Sequence, residues 1–193
     1  MPNIFLSPSV QEYNEYLNGG SEEYYMNLIA DAMEPYLNIN DINFTRNNTE
    51  EPVSQAIKDS NSGNYDLHLS IHSNAAPENL KGKLSGVDIY YSPVSYLGKM
   101  FAEMLAENYK TIYYDPDKVR IVPTTSLGEI RRTTAPAVLI ETAYHDNPED
   151  EEWIKNNIDN IARVLAMTVT DFFNLPFVEP IENDYEIEVD VIE

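Results

Sequence analysis

Asp66-Leu67-His68-Leu69-Ser70-Ile71-His72-Ser73-Asn74-Ala75 is an apolar run of strand-forming residues that gives out in a polar turn, with His72 where it ends. A second run, Ala137-Val138-Leu139-Ile140-Glu141, has the same build and ends in an acid. Short apolar runs bounded by turn residues read as buried strands of an α/β protein, whose ligands collect at the carboxyl edge of the sheet. A histidine on such an edge is either a strand cap, a metal ligand or a proton carrier.

The rest of the chain supplies the alternation of elements that an α/β sheet needs. Ile4-Phe5-Leu6 reads as a first buried strand, and 10–20 as a loop over the strand ends. Ser21 is a good N-cap, with Glu22 and Glu23 in the first turn where the helix dipole favours acids. Leu28, Ile29, Ala32, Met33 and Tyr36 recur at helical spacing, so the spacing predicts a helix over 22–37, weakened near its end by Pro35. Strands are expected at 42–45, 67–72, 87–91 and 137–141, and helices at 53–60 and 95–109. The stretch from Pro116 to Thr125 reads as polar loop, 127–132 as a short helix or irregular chain, and 150–175 as one long helix. The resulting expectation is an α/β single domain: a mostly parallel or mixed central sheet with helices on both faces. It spans 1–176, and 177–193 forms an acidic tail that is either a linker or an added edge strand.

Composition narrows the function. The chain has 193 residues and a formal net charge of −21, from 33 acids against 12 bases. Such an acidic surface repels nucleic acid and anionic membranes, so neither is expected as a partner. There is no cysteine, which excludes disulfides, thiolate metal sites and a cysteine nucleophile. No segment approaches the apolar length of a membrane span, and no signal peptide is visible.

Glu23 in the first turn of the first helix, His72 and Glu141 all fall at element ends that such a fold brings to one rim. A carboxylate and an imidazole suit a zinc ion with an open position for water, and a second glutamate beside it could carry the water's proton to a leaving amine. The competing readings are structural. Glu22 and Glu23 would only complement the helix dipole, Glu141 would pair with Arg131 or Arg132, and His72 would only cap its strand.

These motifs together resemble the zinc-dependent N-acetylmuramoyl-L-alanine amidases of the type 3 amidase family. Ser70-Ile71-His72-Ser73-Asn74 resembles the family's "SIHAN", Pro136 to Glu141 its "PAVLVE", and Asn147-Pro148 its "SNP". Glu23 through Leu28 resembles "EKDVNL", and Phe44-Thr45-Arg46 "LTR". The similarity runs over about residues 4 to 173. It implies a phosphorylase/hydrolase-like α/β fold, a monomer, peptidoglycan as substrate and action on the cell wall. It further implies Zn2+ as cofactor, Glu23 and His72 as metal ligands and Glu141 as catalytic acid/base.

One position departs from that pattern. The family's first strand runs into "DPGHGG", whose His is a zinc ligand, whereas Ser7-Pro8-Ser9-Val10-Gln11 places Val10 there. Valine cannot ligate. Gln11 could offer a carbonyl oxygen, and His145, four residues past Glu141, could reach the metal, the leaving group or the oxyanion. Asn74 and Arg131 are candidates for substrate binding, Arg131 through a carboxylate. A zinc peptidase of the same fold and a catalytically inactive wall-binding relative are the rival readings.

Overall fold

A computed structural model describes residues 1–180. Six strands form one mixed sheet in the order β2-β1-β3-β6-β4-β5. They are β1 (Asn3–Pro8), β2 (Asn43–Arg46), β3 (Leu67–Asn74), β4 (Val87–Tyr91), β5 (Val119–Pro123) and β6 (Ala137–Tyr144). β1 pairs in parallel with β2 and β3, and β3 with β6, whereas β4 runs antiparallel to β6 and carries β5 parallel to itself. The carboxyl ends of β1, β3 and β6 therefore share a rim with the amino ends of β4 and β5. Register places His72 beside Glu141, and Glu141 beside Asp88.

Side chains alternate across the sheet with period two, and the two faces differ in character. Ile4, Leu6, Leu67, Leu69, Ile71, Val138 and Ile140 form a fully buried apolar face. They share one core cluster with residues of α1 (Glu22–Ile39), α3 (Tyr96–Tyr109) and α6 (Ile158–Phe172). Ala137 and Leu139 point the other way, against Ile130 of α4 (Gly128–Arg131). Strand parity puts Ser7, His68, Ser70, His72 and Glu141 on this second face, covered by α2 (Val53–Ser62) and α4. The site is built on the polar side of the sheet.

Three details differ from expectation. Val119–Pro123, expected as loop, is the edge strand β5; its inward residue Val119 is buried but its neighbours are largely exposed, so it carries little apolar signal. The single long helix expected over 150–175 is two, α5 (Pro148–Asn156) and α6, broken at Asn157. Asn157 leaves helical geometry and turns its Nδ2 back to the Trp153 carbonyl, a competition with the helix that asparagine is suited to. α1 keeps Pro35 near its end but runs two residues past the expected 37, to Ile39. The tail begins packed on the body: the Asn40 side chain bonds both the N–H and the carbonyl of Val178, and Phe177 stacks on Tyr36. Residues 181–193, and with them most of the stretch read as linker or added strand, lie outside the described residues.

Candidate active site

His72 is the hub of the rim. It ends the regular part of β3, just before a register shift between His72 and Asn74, and is 8% exposed. Its Nδ1 lies 2.8 Å from Glu22 Oε1 and its Nε2 3.1 Å from Glu129 Oε2. Burial disfavours the charged ring, but the hydrogen bonds to Glu129 and Glu22 outweigh it and hold the pKa well above the usual histidine value. Burial likewise works against ionised Glu22, and its bonds with His72 and Asn14 overcome it, leaving that acid below its usual pKa. Glu129 behaves in the same way under the pull of His68 and His72, and is held well below the carboxylate range. The ring thus sits between two carboxylates, one facing each nitrogen.

Glu22, rather than Glu23, is the acid the structure sets against His72. The buried face of α1 is Glu22, Met26, Ile29, Ala30, Met33 and Leu37, a helical stripe that includes position 22. Glu23 is one step, about 100°, round the helix. It is partly exposed and lines a cavity of about 500 Å³ that opens beside His72, together with Val10, Gln11, Glu12, Glu50 and Glu129. Partial burial and the nearby Glu12 and Glu50 raise the Glu23 pKa.

Glu141 stands next to His72 across the β3–β6 pair. The residue as a whole keeps some exposure, but its Oε2 is shut off from solvent and has no hydrogen-bond partner. Burial is the main cause lifting its pKa to about 7; attraction to His72 works against the shift, and repulsion from Glu22, Asp88 and Glu129 adds to it. A carboxyl group balanced near neutrality, with a free oxygen in a ring of acids, is suited to taking and returning a proton.

The other expected residues are distributed as follows. Gln11 reaches the hub: its side-chain amide nitrogen is 3.3 Å from His72 Nδ1 and 3.4 Å from Glu22 Oε1. Its Oε1 accepts from Tyr13 and Asn14. His145 lies behind the site, with Nδ1 on Ser73 Oγ at 2.9 Å and its ring stacked on Tyr16; burial holds it below the usual pKa. It makes no hydrogen bond to His72, Glu22 or Glu141. Asn74 ends β3 with its amide 3.5 Å from Asp88 Oδ2. Arg131 and Arg132 are exposed and neither pairs with Glu141. The guanidinium that does stand on this rim is Arg120, held on Asp88 through Nε at 2.9 Å and a terminal nitrogen at 3.1 Å.

Does this donor set fit a metal? Among the described residues no three His, Cys, Asp or Glu side chains are grouped to hold one. Glu22 Oε1, His72 Nδ1 and the Gln11 amide, however, lie 2.8–3.4 Å from one another. Donors about 2.1 Å from a tetrahedral zinc are spaced roughly 3.4 Å apart. The Gln11 group that faces Glu22 and His72 is the amide nitrogen, a donor, because its oxygen is held by Tyr13 and Asn14; only a half-turn that gives up those two bonds presents the oxygen instead. Two strong donors, Glu22 and His72, thus stand together, and Gln11 joins them as a weak third only after that half-turn.

The family model for N-acetylmuramoyl-L-alanine amidases matches residues 11–170, most of the chain. The chain belongs to that family. It adopts the fold of solved amidase structures at low identity. The N-acetylmuramoyl-L-alanine amidase from Clostridium difficile 630 is 20% identical with a TM-score of 0.78, covering 90% of this chain and 97% of that one. The AmiC2 amidase of Nostoc punctiforme is 15% identical with a TM-score of 0.77, over 90% of this chain and 97% of that one. The catalytic domain of the CD27L endolysin targeting Clostridia difficile is 21% identical with a TM-score of 0.71, over 89% and 98%. No curated protein matches. Among the described residues of this amidase-family chain, no helix is long and apolar enough to cross a membrane.

Glu129, which touches His72, was hidden from the sequence. It sits in a four-residue helix, and its only signal was an acid between apolar neighbours in Leu127-Gly128-Glu129-Ile130. Glu22 was legible: extending the Met26, Ile29, Met33, Leu37 stripe backward selects it over Glu23.

Proposed function

We propose that this amidase cleaves the amide between N-acetylmuramic acid and L-alanine in peptidoglycan in a zinc-dependent reaction, with Glu141 as its acid/base. Family membership supports peptidoglycan amide hydrolysis. The observation that carries the residue assignment is the enclosed, unpartnered Oε2 of Glu141 beside the Glu22–His72 pair.

Glu22, His72 and Gln11 would hold the zinc, which when bound polarises the scissile carbonyl and lowers the pKa of a water. Ionised Glu141 accepts a proton from the attacking water as the water's oxygen adds to the amide carbon. The carbon–nitrogen bond then breaks, and Glu141 returns the same proton to the departing L-alanine nitrogen, so the residue ends as it began. The roughly 500 Å³ cavity beside His72, lined by Gln11, Glu23 and Glu129 and not by Glu141, gives part of the muramyl-peptide room next to the rim.

Digestion of peptidoglycan followed by end-group analysis tests the reading. New N-terminal L-alanine supports it, and cleavage within the stem instead points to a peptidase. Less than about a tenth of an equivalent of bound zinc after zinc is supplied refutes the metal assignment, and with no products released it identifies an inactive relative.

A further inference from the structure

Glu129 occupies an unusual place for a surface-turn residue. It is 3% exposed, comes from a four-residue helix, and accepts three hydrogen bonds. Its Oε1 takes Ser7 Oγ at 2.6 Å and His68 Nε2 at 3.2 Å; its Oε2 takes His72 Nε2 at 3.1 Å. His68, fully buried, is held in turn: Nδ1 lies 2.9 Å from Ser60 Oγ on α2, Nε2 lies 3.0 Å from Ser70 Oγ, and the ring stacks on Phe5. A row of polar groups thus runs through the covered face of the sheet, from Ser60 through His68 and Glu129 to His72, and ends at Glu22.

We propose that Glu129 is a positioning residue for His72. By accepting the Nε2–H it fixes the ring plane and the tautomer, so that Nδ1 is the nitrogen turned toward Glu22 and Gln11. His68, Ser7 and Ser60 keep the Glu129 carboxylate from rotating away. The consequence for metal binding rests on the zinc reading above. With only one imidazole and one carboxylate as strong donors, the direction of the Nδ1 lone pair matters more than in a site with two imidazoles. Carboxylates that hold a ligating histidine in this way typically change metal affinity by about 10–100-fold when removed.

The test separates the two ideas. In metal-free wild-type protein, long-range 15N–1H correlation should show the His72 Nε2–H present and slow to exchange with solvent. Glu129→Gln should speed that exchange at least roughly tenfold while the remaining amide spectrum is retained. In zinc titrations the same variant should bind about 10–100-fold more weakly than wild type, and its kcat should fall with KM unchanged. An unprotonated or rapidly exchanging Nε2 in wild type overturns the proposal, and this measurement stands even if the variant fails to fold. Wild-type zinc affinity in a folded Glu129→Gln protein also overturns it. If wild type takes up no zinc, the metal assignment falls, whereas Glu129 is still judged on the metal-free spectrum.

Discussion

Replacing the proposed acid/base should make the metal-free protein more stable. Glu141 has a folded-state pKa of about 7 against a reference of 4.5. Its pKa is raised on folding, so the folded state binds the proton more tightly than the unfolded chain does. Below pH 4.5 both states are protonated and there is no penalty. Between 4.5 and 7 the unfolded chain ionises first, and folding becomes progressively less favourable. The gap of about 2.5 units at 1.36 kcal/mol each gives a penalty of roughly 3 kcal/mol at pH 8, and under about 0.5 kcal/mol at pH 4.5. Glu141→Gln removes the ionisation and with it the penalty. Urea denaturation of chelator-treated wild type and variant, at pH 4.5 and pH 8, measures it. The variant's advantage should grow by about 2–3 kcal/mol between the two. Any packing cost of the amide is the same at both pH values and cancels. An advantage that does not change with pH would show that Glu141 is not held near neutrality in the fold. Peptidoglycan release by the same variant should be abolished.

Further outcomes follow from the same geometry. Glu22→Gln should weaken zinc binding by tenfold or more, about 1.4 kcal/mol, whereas Glu23→Gln should leave it within about twofold; isothermal titration distinguishes them, and the reverse pattern would reinstate Glu23. Gln11→His replaces the weak donor with an imidazole and should tighten zinc by at least roughly tenfold. Asp150 is fully buried and accepts from the hydroxyls of Tyr113 and Tyr114 and from the backbone N–H groups of Gly86 and Tyr144. Asp150→Asn turns acceptors into donors there and should cost about 3 kcal/mol, read as a melting temperature lower by roughly 6–12 °C.

The strands that carry His72 and Glu141 were legible because their apolar runs are buried on both faces, which leaves an unbroken hydrophobic signature. β5 was not, since an edge strand with one buried residue looks like polar loop. In the site, the resemblance to "EKDVNL" points to Glu23 through Asn27, four residues on, whereas the acid beside His72 is Glu22. Asn27 in fact serves structure, bonding the Ser9 carbonyl and Arg46. Glu129 and the Asp88–Arg120 pair depend on which segments the topology folds over the rim, and local spacing does not encode that. Asp150 reads as an ordinary first-turn acid of α5, and its network forms only when the turns before β4 and after β6 converge on it.

The reversal of β4 and β5 divides the rim between two kinds of work. On one half, β3, β6 and α1 deliver Glu22, His72 and Glu141 from strand ends and a helix start that are locked into the core. On the other half, the chain enters the sheet: Asp88 and Arg120 are each the second residue of their strands, directly after the connecting segments 75–86 and 110–118. Those segments meet the core at a few anchors, the Gly86 N–H and the Tyr113 and Tyr114 hydroxyls on Asp150, and between the anchors residues 77–81 are exposed. A lineage, or an engineer, can therefore recharge the exposed stretch between those anchors while Glu22, His72 and Glu141 keep their places.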